Sequence, residues 1–277
     1  MANGYTFFWK ELPANARRIH GLGLTIRTEL VQTPPESPVA ISERLMTLRI
    51  PLAKHRHATF ISAYAPTLPS DDETKDHYYV MLRSILMQIP RSDKFIVLGN
   101  FNGRTGSDFT IWGNVMGKQH VGNINSNGHR LLSLCSEFGL FVTNTLFQLK
   151  HIHRTTWMHI KQHRSKQWHL LDYVLVKAVD IQDVQITRVM RGAECGQITV
   201  LSALRSAYAL VPQPENRNLS FGSTSAAWAG GQTCLAYVQP YHQIFPRSQI
   251  VHRCRFKPSR TLQNSGTHWA RLSWMLR

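Results

Sequence analysis

Acidic residues are scarce in this sequence: 16 Asp and Glu stand against 32 Lys and Arg, for a formal net charge of +16. The shortage is sharpest from Gly196 onward, where 82 residues carry nine Lys or Arg and a single acid, Glu215. Cysteine is sparse too. Cys135, Cys195, Cys234 and Cys254 are far apart, and none forms a C-x-x-C pair. That spacing argues against a zinc site and carries no signature of a disulfide framework. Long apolar runs are missing: no window approaches the roughly 18 residues of a membrane span, and no apolar leader follows Met1. The expectation is a soluble, intracellular chain, nuclear or cytoplasmic, with no membrane partner.

What is present suffices for a core. Hydrophobic residues make up 43% of the 277 and aromatics 10%, enough for one large domain or two small ones. The basic excess favours a polyanionic partner, because neutralising phosphates releases counterions. A solvated basic surface with no partner accounts for the same numbers.

The chain divides near Cys195. Before it, Tyr5 to Trp9, Leu22 to Arg27, Leu45 to Ile50 and Ala58 to Tyr64 read as strands, being short and rich in β-branched and aromatic residues. A helix is expected to open at Ser70 with Glu73 completing a capping box. Its apolar positions Tyr78, Met81, Leu82, Ile85, Leu86 and Ile89 step by three and four, and Pro90 stops it. Phe95 to Leu98 suits a buried strand. A second helix carries Leu131, Leu134, Cys135 and Phe138, with Gly139 placed to end it. Further strands are expected at Leu140 to Asn144, Thr155 to Met158, Leu170 to Val176 and Val184 to Met190. Many short strands with two clear helices predict an α/β sandwich with helices covering sheets. Residues 4–195 are read as this domain. Residues 196–277, interrupted by runs such as Ser220 to Ser225 and Ala229-Gly230-Gly231, are read as a basic tail, irregular or disordered.

Three segments carry candidate chemistry. In Phe95-Ile96-Val97-Leu98-Gly99-Asn100-Phe101-Asn102 a buried strand ends in Gly, and two amides flank Phe101. Period two would point Asn100 and Asn102 the same way, although Gly and Asn are also ordinary turn formers. Ala63-Tyr64-Ala65-Pro66-Thr67 ends a strand just before the first helix. Trp168 to Leu175 places one carboxylate, Asp172, in an apolar strand, where it needs a partner or backbone amides to hold it.

Taken in this order, the segments resemble the endonuclease/exonuclease/phosphatase superfamily. More narrowly, they are similar to the endonuclease domain of non-LTR (LINE-type) retrotransposons of the BovB kind. The matching stretches include Gly4 to Trp9, Glu36 to Leu45 and Asn123 to Leu140, and the likeness runs from about Gly4 to Cys195. The resemblance implies a two-sheet α/β sandwich flanked by helices that hydrolyses DNA phosphodiesters with Mg²⁺, the metal acting as Lewis acid. It also implies site roles. Tyr64 matches a phosphate-contacting tyrosine, Asn102 an asparagine that orients water and phosphate, and Asp172 the aspartate that holds a catalytic histidine.

The departures from that pattern shape the functional expectation. Asn100 stands where the resemblance implies aspartate, and an amide brings neither charge nor proton affinity at neutral pH. A Ser-Asp-His motif is implied shortly after Cys195, where the chain reads Gly196-Gln197-Ile198-Thr199-Val200-Leu201. The strands implied to carry a first asparagine and a metal-binding glutamate belong ahead of Gly4, so the domain is read as N-terminally truncated, with no intact metal site and poor Mg²⁺ binding. A histidine cluster, His151, His153, His159, His163 and His169, is either a basic loop or the source of a stand-in histidine. Three readings follow: a degenerate endonuclease relative with residual DNA affinity, a working Mg²⁺-dependent endonuclease using substitute residues, or a decayed-element fragment without settled function.

Overall fold

Strands buried along nearly their whole length must belong to a sheet covered on both faces, and two segments here are of that kind. The computed structural model describes residues 5–9, 22–27, 38–52, 56–158, 167–190, 193–194, 201–206, 233–237 and 255–256. Their order begins with β1 (Tyr5–Trp9), β2 (Gly23–Arg27), β3 (Val39–Ala40), β4 (Leu45–Leu52) and β5 (Arg56–Tyr64). Helix α1 (Asp72–Gln88), β6 (Lys94–Asn100), the short α2 (Phe109–Trp112), α3 (Ser126–Phe138) and β7 (Leu140–Val142) follow. Then come β8 (Trp157–Met158), β9 (Trp168–His169), β10 (Asp172–Lys177), β11 (Val184–Met190) and β12 (Ala193–Glu194). Last are β13 (Leu201–Ser206), β14 (Thr233–Tyr237) and β15 (Arg255–Phe256).

Six strands form a mixed sheet in the order β3-β4-β5-β6-β10-β7. Only β5 and β6 pair in parallel, because α1 carries the chain back over the sheet between them. Alternation along these strands sorts two cores. Ile61, Ala63, Val97, Tyr173 and Leu175 meet the buried faces of α1 and α3, through Tyr78, Leu82, Leu131, Leu134 and Cys135. On the opposite face Phe60, Ile96, Leu98, Val174 and Val176 pack with Leu24 and Ile26 of β2. Each such aliphatic side chain contributes about 2 kcal/mol by leaving water. Cys135 is a core residue, and burial pushes its thiol up, out of reach of ionisation.

Strand β2 belongs to a second, antiparallel sheet ordered β1-β2-β14-β13-β11. Two of its strands, β13 and β14, come from the stretch beyond Cys195 that the sequence left without secondary structure. Two-stranded pairs β8–β9 and β12–β15 complete the described strands. No described helix is long and apolar enough to cross a membrane.

Local signals account for the helix ends, with one correction. The N-cap of α1 is Asp71, whose carboxylate accepts from the Thr74 backbone N–H at 2.6 Å and from its hydroxyl at 2.9 Å. Ser70 instead shares a hydrogen bond with the Thr67 hydroxyl, so the expected Ser70–Glu73 capping box does not form. A charged acceptor suits the positive helix end better than a hydroxyl does, and the hydrogen bond to Thr74 holds the Asp71 carboxyl below the usual carboxylate range. Ile89 is extended ahead of Pro90. Gly139 ends α3 in the left-handed region, φ 59°.

At the far end of the sheet from the Asn100 turn, Arg49 on β4 grips Asp93 at 2.7 and 3.2 Å, with Thr59 adding a hydrogen bond. Burial pushes the Asp93 carboxyl up, but the Arg49 hydrogen bond and charge outweigh it and leave the group below its ordinary value. Arg49→Met strands that buried carboxylate and is expected to cost about 3 kcal/mol, a fall of roughly 5–10 °C in melting temperature. A folded-state carboxyl held low stabilises at neutral pH and loses that contribution as pH falls. The deficit of the mutant in a thermal melt should therefore shrink in acid.

Candidate functional site

The parallel pairing of β5 and β6 brings their C-terminal ends to the same edge, and it is tight there. A Cβ on Gly99 would sit 1.9 Å from the Ala63 carbonyl oxygen. One residue further on, Tyr64 is the registered partner of Asn100, and Asn100 is the registered partner of Asp172 on β10. Registered partners share a face of the sheet. Three of the four residues singled out in the sequence therefore stand in one row across three adjacent strands. The face is the one that carries Leu98 and Val174 towards the second sheet.

The row extends to a residue that sequence reading missed. The Tyr64 N–H donates to the Arg44 carbonyl at 2.9 Å, placing Arg44 at the entrance to β4 beside it. The Arg44 guanidinium lies over the Tyr64 ring, 5.5 Å from its centroid, and its Nη1 reaches the Tyr64 carbonyl at 3.5 Å. Exposed Glu43 approaches Arg44 Nε at 3.7 Å.

Asn102 corrects the period-two expectation. The strand ends at Asn100, and Asn102 takes a positive φ of 48°, a conformation that asparagine tolerates better than most residues. The Asn102 N–H donates to Asn100 Oδ1 at 2.8 Å, and its Nδ2 donates to the Ala65 carbonyl at 2.8 Å. The two amides thus build a turn rather than pointing in parallel. Helix α3 pins that turn. Asn127 Nδ2 donates to the carbonyls of Asn102 and Pro66, both at 3.1 Å, and the N-cap Asn125 Oδ1 accepts from Arg104 N at 2.9 Å. The Tyr173 hydroxyl adds a clasp below, donating to the Gly103 or Leu170 carbonyl and accepting from Thr105 N.

Asp172 is 2% exposed. The Leu171 and Asp172 N–H groups donate to Thr156 Oγ1 at 3.0 and 3.3 Å. Burial pushes the Asp172 carboxyl up to about 7, against a smaller lowering effect of the Thr156 hydroxyl. Asn144 fastens the strand, donating to the Asp172 carbonyl and accepting from Val174 N. Residues 195–200, where the resemblance implies a histidine partner, lie outside the described residues.

Among the described residues the histidine cluster forms no group of three or more that could hold a metal ion. His153 Nδ1 is 3.2 Å from the Val189 carbonyl, and His169 stacks on Trp157 with centroids 5.9 Å apart. His151 and His169 line a cavity of about 390 Å³ together with Arg104, Asn123 and Trp168. His159 and His163 lie outside the described residues.

The row does not fit Mg²⁺. That ion is held through one or two carboxylates with water and phosphate oxygens. The described row offers a single carboxyl, Asp172, buried and pushed up to about 7 by desolvation. The side-chain oxygen beside it, Asn100 Oδ1, is uncharged and accepts from the Asn102 N–H. A cation, Arg44, already lies over the Tyr64 end of the row.

No family model matches the chain. In sequence it is similar to craniofacial development protein 2 of Bos taurus, 29% identical over 155 residues, which is 56% of this chain and 25% of that protein. Among solved structures, a 3'-5' exonuclease (NExo) from Neisseria meningitidis overlaps it with TM-score 0.48 and 13% identity, over 71% of this chain and 77% of the other. The endonuclease domain of TRAS1, a telomere-specific non-LTR retrotransposon, overlaps with TM-score 0.40 and 13% identity, over 67% and 73%. Both structural overlaps are partial. The similarity to craniofacial development protein 2 is distant, and the chain spans about a quarter of that protein's length.

Proposed function

We propose that this chain is an endonuclease/exonuclease/phosphatase-type domain, descended from a non-LTR retrotransposon endonuclease, that keeps a nucleic-acid-binding face and has lost phosphodiester cleavage. The observation that carries this reading is the row Tyr64–Asn100–Asp172. Its residue types and order suit a phosphodiesterase site, but an amide stands where a carboxylate would hold the metal and handle the proton. The net charge of +16 supports a polyanionic partner. On this reading the nuclease-like domain is built on residues 4–195, with β13 and β14 from beyond them filling its second sheet between β2 and β11, and the basic excess of the remaining stretch adds non-specific affinity.

Loss of one essential catalytic group typically costs several powers of ten in rate, and such losses are not additive. The purified chain is therefore expected to leave supercoiled plasmid intact with and without Mg²⁺. Asn100→Asp alone is expected to restore nothing, since one carboxylate beside a buried Asp172 still makes no metal site. Metal-dependent nicking by the wild type that disappears in Asp172→Ala would replace this reading with that of a working endonuclease. A broad, non-cooperative melt would favour a fragment without settled function.

A further inference from the structure

The chain just ahead of Asp172 borders the cavity of about 390 Å³, and neither Tyr64 nor Arg44 lines it. Its walls come from distant parts of the sequence. Arg104 stands two residues beyond the Asn102 turn, and Asn123 lies just ahead of α3. Trp168 and His169 form β9, and His151 belongs to the single turn His151–His153. Backbone bonds fix these walls. Arg104 N donates to Asn125 Oδ1 at 2.9 Å, and the Asn125 N–H donates back to the Arg104 carbonyl at 3.1 Å. Thr156 N donates to the His169 carbonyl at 2.8 Å. The Thr156 hydroxyl also accepts from the Asp172 N–H, so cavity and row share a mount. Among the described residues no carboxylate lines the cavity. His151 and His169 have no third metal-ligating side chain with them there, which argues for an organic anion rather than a metal.

We propose that this cavity takes one unpaired nucleotide, its base against Trp168, its phosphate on Arg104 and its base edge at the Asn123 amide. The proposal deepens the nucleic-acid-binding half of the reading above by naming the ligand as unpaired. The volume falls in the range of small-molecule sites and admits one nucleotide, not a duplex. Every base has a π-face that an aromatic side chain can cover, whatever the sequence. In a duplex that face is covered by neighbouring bases, so a paired nucleotide must first leave its stack. A guanidinium matches two phosphate oxygens with parallel N–H bonds, and no carboxylate in the wall competes for it. A side-chain amide brings both a donor and an acceptor, as the edge of a base requires. A free mononucleotide and an unpaired nucleotide within a strand offer the same chemistry.

The test is a fluorescence-anisotropy titration of the full chain, in EDTA, with labelled oligo-dT and with a blunt duplex containing that strand. The single strand is expected to bind about tenfold more tightly, the equivalent of one good stack. Trp168→Ala should abolish that preference and leave duplex affinity unchanged, whereas Trp168→Phe should retain most of it. Arg104→Gln keeps the backbone bonds to Asn125 and should weaken single-strand binding about fivefold, with a shallower salt dependence. Arg83→Gln removes an equal charge from the helix layer, where Arg83 pairs with Glu137, and should keep the preference intact. Competition with 5'-dTMP separates the two sources. Displacement of oligo-dT by dTMP, but not by inorganic phosphate, assigns the site to free nucleotides as well. Failure of dTMP to compete, with the Trp168-dependent preference in place, assigns it to strands alone.

Equal affinity for strand and duplex overturns the proposal while leaving nucleic-acid binding in place. So does a single-strand preference that both Trp168→Ala and Arg104→Gln leave untouched. Should Trp168→Ala fail to melt cooperatively, Arg104→Gln decides: a lost preference supports the proposal, and an unchanged one overturns it. A chain that binds neither strand nor duplex overturns the broader reading. Quenching of tryptophan fluorescence by dTMP, reduced in Trp168→Phe, would then keep the cavity as a mononucleotide site, and its absence removes both.

Discussion

Asp172→Asn is expected to raise the melting temperature by roughly 10 °C at pH 8 and to leave it nearly unchanged at pH 4. The folded carboxyl takes its proton at about 7, against an ordinary value of 3.8. In the unfolded chain it ionises near the ordinary value. Below that, both states are protonated and the site costs nothing. Between the two values the folded state holds a proton that the unfolded state has released, so stability falls as pH rises. Above about 7 the full cost is present, on the order of 4 kcal/mol. Asparagine keeps the shape and an acceptor for the Thr156 hydroxyl, and it has no proton to lose. Thermal melts of the two proteins across that range are the check. A gain of equal size at both ends, or a loss at pH 8, would show that the carboxylate is supported in the fold and that the argument from burial is wrong.

Gly99→Ala is the second large effect, and its cause is purely steric. The added Cβ meets the carbonyl of Ala63 at 1.9 Å and its carbonyl carbon at 2.7 Å, both belonging to the backbone of the neighbouring strand. No rotamer relieves that contact, so β5 and β6 must separate in the centre of a buried sheet. Overpacking of this kind costs roughly 3 kcal/mol or more, a fall of about 10 °C. The row suffers as well, because Tyr64 and Asn100 are the next registered pair. A variant that melts with the wild type and binds DNA equally well would contradict the tight pairing.

How much of this was readable in advance differs from element to element, for physical reasons. The apolar run at Phe95 to Leu98, the three-and-four spacing from Tyr78 to Leu86 and the glycine at position 139 are local patterns, and each formed the element it suggested. The strand expected at Leu140 to Asn144 stopped at Val142. Thr143 and Thr145 turn their hydroxyls onto the carbonyls of Val174 and Val142, and side chains that bond to backbone compete with the ladder. The same kind of competition shifted the cap of α1 from Ser70 to Asp71. Strands β13 and β14 gave no periodic signal, and β14 takes its place by pairing with β2, which is remote in sequence.

The site follows the same division. Tyr64, Asn100 and Asp172 were conspicuous because each ends or interrupts an apolar run. The positive φ of Asn102 is invisible to a period-two pattern. Arg44 was missed because its stack on Tyr64 joins residues twenty apart on neighbouring strands, and nothing local to position 44 announces it.

The order of strands in the six-stranded sheet has a consequence for how the chain is made. Strand β10 lies between β6 and β7, yet both of those neighbours precede it in the sequence. As the polypeptide emerges from the ribosome, β6 waits with an unsatisfied row of amides and carbonyls until residues 172–177 appear, and β7 waits with it. Two open edges flanking a gap one strand wide invite pairing with another nascent chain. The last strand to arrive closes that gap and delivers Asp172 beside Asn100 in the same movement.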